Sequence, residues 1–359
     1  MGELAFRYTA LPARVVFGAG ALAAVREEAE RLAIRRALVL TTPAQLEHGR
    51  AVTERLGDRA AGAFGGAVMH TPVHVTAAAL AAYRELSADG VVAIGGGSTI
   101  GLGKAIAVRT GAPQLAIPTT YAGSEMTPIL GETEGGLKTT RRSLDILPEA
   151  VIYDVDLTLG LPAALSGTSG INAIAHAVEA LYAADANPIT QLHAEQAIAA
   201  LGRALPVIAE DPGHRAARSD ALYGAWLCGM CLGAVGMALH HKLCHVLGGA
   251  FDLPHAETHT VVLPHAVAYN AGAAPDAMAR IAGALGAGGG DAATALYQLA
   301  GAVGARRSLA ELGMPAGALD RAADLAVQNP YWNPRPLERA PIRELLERAY
   351  AGAPPAPPR

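Results

Sequence analysis

The chain has 359 residues, of which 51% are hydrophobic and only 4% aromatic, and a formal net charge of -4. This length exceeds one ordinary hydrophobic core, so two domains are expected. The mild acidity, with no run of basic residues, excludes electrostatic binding of nucleic acid.

In chain order, short apolar runs alternate with Ala-rich helical patterns. Strands are expected at 14–17, 36–41, 63–68, 90–94, 115–118 and 151–154. Helices are expected at 18–32, 44–56, 75–88 and 98–110. This alternation predicts a Rossmann-like α/β domain with a parallel sheet covered on both faces. Beyond residue 157 the pattern is helical throughout. The expected domains are therefore 1–157, nucleotide-binding, and 158–359, helical and catalytic.

Residues 1–14 lack the order of a signal peptide, and no stretch reaches the ~18 apolar residues of a membrane span. A cytoplasmic chain with no membrane partner is expected. Cys228, Cys231 and Cys244 are an odd count, which argues against a disulfide framework. The C-x-x-C of Cys228 and Cys231 lies in an apolar helical run and reads as core. The tail at 352–359 (GAPPAPPR) is Pro-rich and is expected to be loosely held. The chain has three lysines, Lys104, Lys138 and Lys242, all in or near the motifs below.

The strand at 90–94 runs into Gly95-Gly96-Gly97-Ser98 and then a helix. Glycines permit a tight turn and close approach of backbone to ligand. The free N–H groups at the helix start then attract an anion. Gly96, Gly97 and Ser98 are the expected pyrophosphate contacts, although the usual G-x-G-x-x-G is absent. A second polar loop, with Thr119, Thr120, Tyr121 and Thr127, follows the next strand and offers groups for ribose and phosphate. Thr42 and Pro43 end the second strand with no acid to repel a 2′-phosphate, so NADPH is expected to be accepted alongside NADH.

Six of the twelve histidines lie between 240 and 265. His241 and His245 share one helical face, as do Asn172 and His176 on another helix. His255 follows a short loop. Imidazoles in such a group serve as metal ligands or as acids and bases. Position 172 offers a neutral amide where a metal site would normally place a carboxylate.

The motifs GGGST at 95–99, IPTTYAGSEMTPI at 117–129, SGINAIAHAVEALY at 169–182 and HHKLCHVLGGAFDLPHAE at 240–257 resemble the iron-containing alcohol dehydrogenase superfamily. The chain is most similar there to the maleylacetate reductases. The shortened TTYAGSE loop, Asn172 in place of the usual metal-binding Asp, and NPYWNPRP at 329–336 carry that likeness. The resemblance implies a dehydroquinate synthase-like fold, an active site in the cleft between two domains, and a homodimer. It also implies NAD(P)H-dependent reduction of a C=C bond in a small dicarboxylate during aromatic-compound catabolism, yielding 3-oxoadipate.

By position His176, His241 and His255 fall on the superfamily's metal histidines, and His245 on its further catalytic histidine. Asn172 and the likeness together imply that no metal is required. His176, His241, His245 and Asn172 are thus the expected catalytic residues. Lys138 is expected near the nicotinamide. His255, Lys242 and Arg335 are expected at the substrate, with Arg141 and Arg142 as further cations for its carboxylates. The competing reading is a metal-dependent alcohol dehydrogenase of the same superfamily.

Overall fold

The structure is a computed structural model that describes residues 6–357 except 12, 136, 289 and 330, with the backbone alone at 137 and 138. It contains two compact units, residues 10–161, and residues 162–357 together with residues 6–9. The division follows Leu161 rather than residue 157. The last strand is followed by a 3₁₀ turn, Val155–Thr158, which stays with the sheet.

The first unit holds β1 (Arg14–Gly18), α1 (Val25–Arg31), β2 (Ala37–Leu40), α2 (Leu46–Leu56), β3 (Ala60–Phe64), α3 (Val73–Glu85), β4 (Gly90–Gly95), α4 (Gly97–Thr110), β5 (Gln114–Pro118), β6 (Ile129–Glu134), β7 (Leu137–Arg142) and β8 (Ala150–Asp154). Six strands form one sheet in the order β1-β8-β5-β4-β2-β3, and every pairing in it is parallel. β2, β4, β5 and β8 are buried along their whole length, as continuous apolar runs require when both faces are covered. The chain builds outward through β2 and β3, then returns to lay β4 on the other side of β2. That reversal is a topological switch point, where open sheets of this kind bind ligands at the strand C-termini.

Three sequence expectations are corrected. β6 and β7 form an antiparallel hairpin over a stretch with no expected strands. Its polar sequence, with exposed Arg141 and Arg142, hides the alternation. β3 starts at Ala60, earlier than expected. The helix expected from 18 begins only after a 3₁₀ turn at Ala21–Ala24, because the Asp154 carboxylate accepts from Gly20 N at 3.0 Å and Leu22 N at 2.8 Å and fixes a turn there.

The second unit is helical: α5 (Ala163–Leu181), α6 (Pro188–Glu210), α7 (Arg215–Ala234), α8 (Leu239–Phe251), α9 (His255–Asn270), α10 (Pro275–Ala284), α11 (Ala292–Ala302), α12 (Leu319–Val327) and α13 (Arg339–Ala351). α5 runs straight through Ser166, Gly167, Thr168, Ser169 and Gly170. A Cβ at Gly170 would lie 2.5 Å from Leu205 Cδ2, so glycine lets α5 press against α6. One core joins α8, α9, α12 and α13 through Leu243, Leu247, Val262, Ala322 and Leu346. Cys228 and Cys231 are buried on α7. The start of the tail is held rather than loose, since Arg348 donates to Pro354 O at 2.8 Å and Tyr297 to Gly352 O at 2.8 Å. Among the described residues no single helix is long and apolar enough to cross a membrane.

Lys104 is wholly buried on α4, and burial lowers its ammonium to about 7, against the opposing pull of Glu125. It donates to Thr127 O at 2.8 Å, Thr127 Oγ1 at 3.0 Å and Ile129 O at 3.0 Å, and also to Ser124 O. Lys104→Met removes every one of these donors while filling similar space. Chemical denaturation is expected to show a loss of about 3 kcal/mol; unchanged stability contradicts the bracing role.

Candidate active site

The first cluster of expected site residues lies at the switch point. Gly96 caps α4 with no side chain bonded to the helix start, which leaves its amides available. Gly95, not among the expected contacts, is the position that demands glycine. Its φ is +152°, and a Cβ there would sit 2.4 Å from Thr99 Oγ1. Gln45, also unanticipated, ties three loops together. It accepts from Thr42 Oγ1 at 3.2 Å and donates to Thr119 Oγ1 at 2.9 Å, while Thr119 N donates to Gly95 O at 3.0 Å. Ser98 and Thr120 are half-buried beside this network, and Pro43 is exposed.

Two expected cofactor contacts are differently employed. The Thr127 hydroxyl is spent inside its loop, accepting from Lys104 and donating to Ser124 O at 3.0 Å. The Tyr121 side chain is fully buried. The side chain of Lys138 lies outside the described residues.

The second cluster is built on α5, α8 and α9. Asn172, His176 and Glu179 lie one turn apart on α5, and all are buried. His240, His241, Cys244 and His245 lie on α8, and His255 and His259 open α9. The His176 and His241 rings stack at 5.0 Å, His241 and His245 lie 6.3 Å apart, and His255 and His259 4.3 Å apart. His245 and His255 are exposed, whereas His176 and His241 are buried. Burial, reinforced by His241, His255 and His245, holds His176 well below the usual histidine range, so it is a neutral imidazole.

Sequence reasoning missed Glu179. Its carboxylate, with 0% exposure, accepts from Ala238 N at 2.8 Å and His240 N at 2.8 Å, and lies 2.7 Å from His241 Nδ1. It therefore caps α8 from a different helix, because Ala238 supplies no cap of its own. His240 and His259, counted in the histidine cluster, form a pair that spacing did not show. Their Nε2 and Nδ1 lie 3.0 Å apart, with Cys244 Sγ 3.7 Å from His240 Nε2. Burial pushes both imidazoles far down. Asn172 Oδ1, His176 Nδ1 and His241 Nε2 are buried without a hydrogen-bond partner among the described residues.

Two of the expected cations face aromatic rings. Lys242 lies 5.5 Å from the Tyr331 ring centre. Arg335 lies over the Tyr269 ring at 4.5 Å and donates to Tyr269 O at 3.3 Å. Near His176, His241 and His255 the Glu179 carboxylate already has three partners, and Asn172 brings no charge. Among the described residues, the ligand atoms of His240, Cys244 and His259 lie within 4.8 Å of one another.

Two family profiles match the chain: "Iron-containing alcohol dehydrogenase" over residues 12–155, and "Fe-containing alcohol dehydrogenase family, C-terminal" over 166–350. The chain belongs to the iron-containing alcohol dehydrogenase family. It is an oxidoreductase of the NAD(P)-dependent kind. Among its relatives in this family, the maleylacetate reductase of Rhizobium sp. (strain MTP-10005) is 58% identical over 98% of this chain and 99% of the relative. That of Sphingobium indicum is 57% identical over 98% and 99%. A crystal structure of maleylacetate reductase from Agrobacterium tumefaciens superposes with a TM-score of 0.95 at 58% identity, covering 98% of this chain and all of that one.

Two outcomes follow from this geometry. Gly95→Ala places a methyl against Thr99 in a strained conformation, so it is expected to cost about 2 kcal/mol and to weaken NADH binding at least tenfold, read by fluorescence titration. The neutral imidazoles of His176, His240 and His259 impose a pH dependence. The unfolded chain takes up protons below about pH 6.5 that the folded chain refuses. Stability is thus unaffected above that value and falls as pH drops through it. Urea denaturation at pH 5.5 should give about 4 kcal/mol less than at pH 7.5, and replacing His259 by Gln should shrink the difference.

Proposed function

We infer that this chain reduces the C=C bond of maleylacetate to give 3-oxoadipate, with NADH or NADPH as reductant, in the breakdown of aromatic compounds. The observation that carries this reading is the 58% identity, over 98% of the chain, to a protein named maleylacetate reductase. The cofactor, when bound, supplies a hydride. Gly95, the free start of α4 and the Gln45 network suit a dinucleotide pyrophosphate, since a side chain at 95 would fill the cradle. The end of β2 carries Thr41 and Thr42 and no acid, which favours acceptance of NADPH as well as NADH.

The substrate has an alkene conjugated to a ketone. Addition of hydride at the carbon β to the ketone leaves negative charge on the ketone oxygen. Donors held in place stabilise such an enolate. The Asn172 carboxamide, buried on α5 with an N–H₂ to donate, suits that contact, with His176 one turn along the same helix. His241 joins it when Nε2 also carries a proton, since its Nδ1 already faces Glu179. Protonation of the α carbon needs an imidazole that readily gains and loses a proton. His245 is exposed to solvent, from which a proton can be replaced, whereas neutral His176 is buried. The substrate's carboxylates call for cations. Lys242 and Arg335 take that part by sharing or leaving their ring contacts, with His255 beside them.

We further propose that the reaction needs no metal. The uncharged Asn172 and the commitment of Glu179 support this, because a divalent ion here would meet no free carboxylate. The test is NAD(P)H consumption with maleylacetate. Turnover with both cofactors, unchanged after dialysis against EDTA, is expected. No turnover with either cofactor sinks the functional reading. Loss on chelation that Fe²⁺ or Zn²⁺ restores sinks the metal-free one.

A further inference from the structure

We propose that His240, Cys244 and His259 form a binding site for one soft divalent cation of the Zn²⁺ class, distinct from the position that the superfamily's metal histidines mark. His240 and Cys244 lie four residues apart on one face of α8, and His259 comes from α9. All three are buried, at 0%, 3% and 1% exposure. His240 Nε2 lies 3.0 Å from His259 Nδ1 and 3.7 Å from Cys244 Sγ. The ligand atoms of the three residues all lie within 4.8 Å of one another. With Zn–N bonds of about 2.05 Å and a Zn–S bond of about 2.3 Å, the two shorter separations correspond to angles at the ion of about 94° and about 116°. Both are near the tetrahedral value. A small rotation of the Cys244 side chain brings the third pair into range, which leaves the fourth position to a water.

As a hydrogen-bond network the cluster is poorly made. A ring nitrogen carries either one hydrogen or one lone pair, and His240 Nε2 faces two neighbours. In either tautomer it satisfies one of them at the other's expense. As a ligand set the same atoms converge without conflict. The donor types then choose the ion, since a thiolate with imidazoles favours Zn²⁺ over Mg²⁺ or Ca²⁺. Charge points the same way. Burial pushes the Cys244 thiol well above its usual range, and the nearby Glu179 carboxylate adds to this. Binding of the ion releases the thiol proton to solvent, and the hydrogen between the two rings passes to an outer nitrogen. The ion, the thiolate and Glu179 then sum to no net charge, while Glu179 keeps its three partners. His255, exposed and with its ring centre 4.3 Å from that of His259, gives the ion a way in from the surface. The ion braces α8 against α9 and takes no part in the reduction, so the proposal stands apart from the assignment of maleylacetate.

The test uses Co²⁺ as the probe, added to the EDTA-stripped full chain under reducing conditions. One ion per chain should bind, with an intense thiolate-to-Co²⁺ charge-transfer band in the near ultraviolet and the visible bands of a four-coordinate ion. Zn²⁺ should bleach both. X-ray absorption of the Co²⁺-loaded wild type should show one sulfur in the coordination shell. Absence of the charge-transfer band, or a shell of nitrogen and oxygen alone, contradicts the proposal; such a shell is what binding at His176, His241 and His255 would give.

Cys244→Ser should abolish the charge-transfer band. His259→Gln should weaken Co²⁺ binding by more than the ~10-fold that losing an outer-shell partner costs. Replacing both Cys228 and Cys231 by Ser should leave the band intact, because those thiols lie on α7. A band that survives in Cys244→Ser, or that disappears in the α7 variant, overturns the assignment. The wild-type X-ray absorption measurement decides the matter if any variant fails to fold.

Discussion

Everything chemical in the helical unit depends on one buried carboxylate. Glu179 sits on α5, reaches the first amides of α8 and binds His241. An unpaired carboxylate there would be severely destabilising. The fold satisfies it with a helix N-terminus, whose amides and dipole favour negative charge. The break between α7 and α8 has a physical purpose in this light. A continuous helix would have paired those amides internally and left Glu179 with the imidazole alone. Ending α7 at Ala234 and starting again at Leu239 exposes them.

The nucleotide unit solves the opposite problem. Its sheet is buried and apolar, so polar chemistry is confined to the loops at the strand ends. Those loops must be stiff to hold an anion, and they are stiffened from beneath. Lys104 gathers the carbonyls of the segment before β6, and Gln45 links the loop after β2 to that after β5. Glycine at 95 leaves the space above them open.

The sequence revealed the sheet well, because β2, β4, β5 and β8 are continuous apolar runs. It revealed the hairpin of β6 and β7 poorly, since GETEGGLKTTRR reads as a polar loop. The histidines were visible through their four-residue spacing, and the structure does gather His176, His241, His245 and His255. Glu179 escaped notice because a glutamate on a helix usually faces water. The available signal was its company: it stands three residues after His176, within a run otherwise made of Ala, Val, Ile and Leu. Lys104 carried the same signal in GLGKAIAV. His240 and His259 were seen as members of a cluster, but their pairing depends on the crossing of α8 and α9, which spacing does not supply. Lys242 and Arg335 lie next to motif residues in sequence, and each faces an aromatic ring, a contact that spacing does not supply.

The central claim is that the histidine site directs reduction to an alkene and holds the oxygen only as an enolate. The position of the transferred hydrogen tests it most directly. With nicotinamide deuterated at its donating carbon and maleylacetate as substrate, NMR of the product should show deuterium on the carbon β to the ketone, with the ketone intact. Deuterium on a carbon bearing a hydroxyl would mean that the site reduces the carbonyl, and would contradict the account.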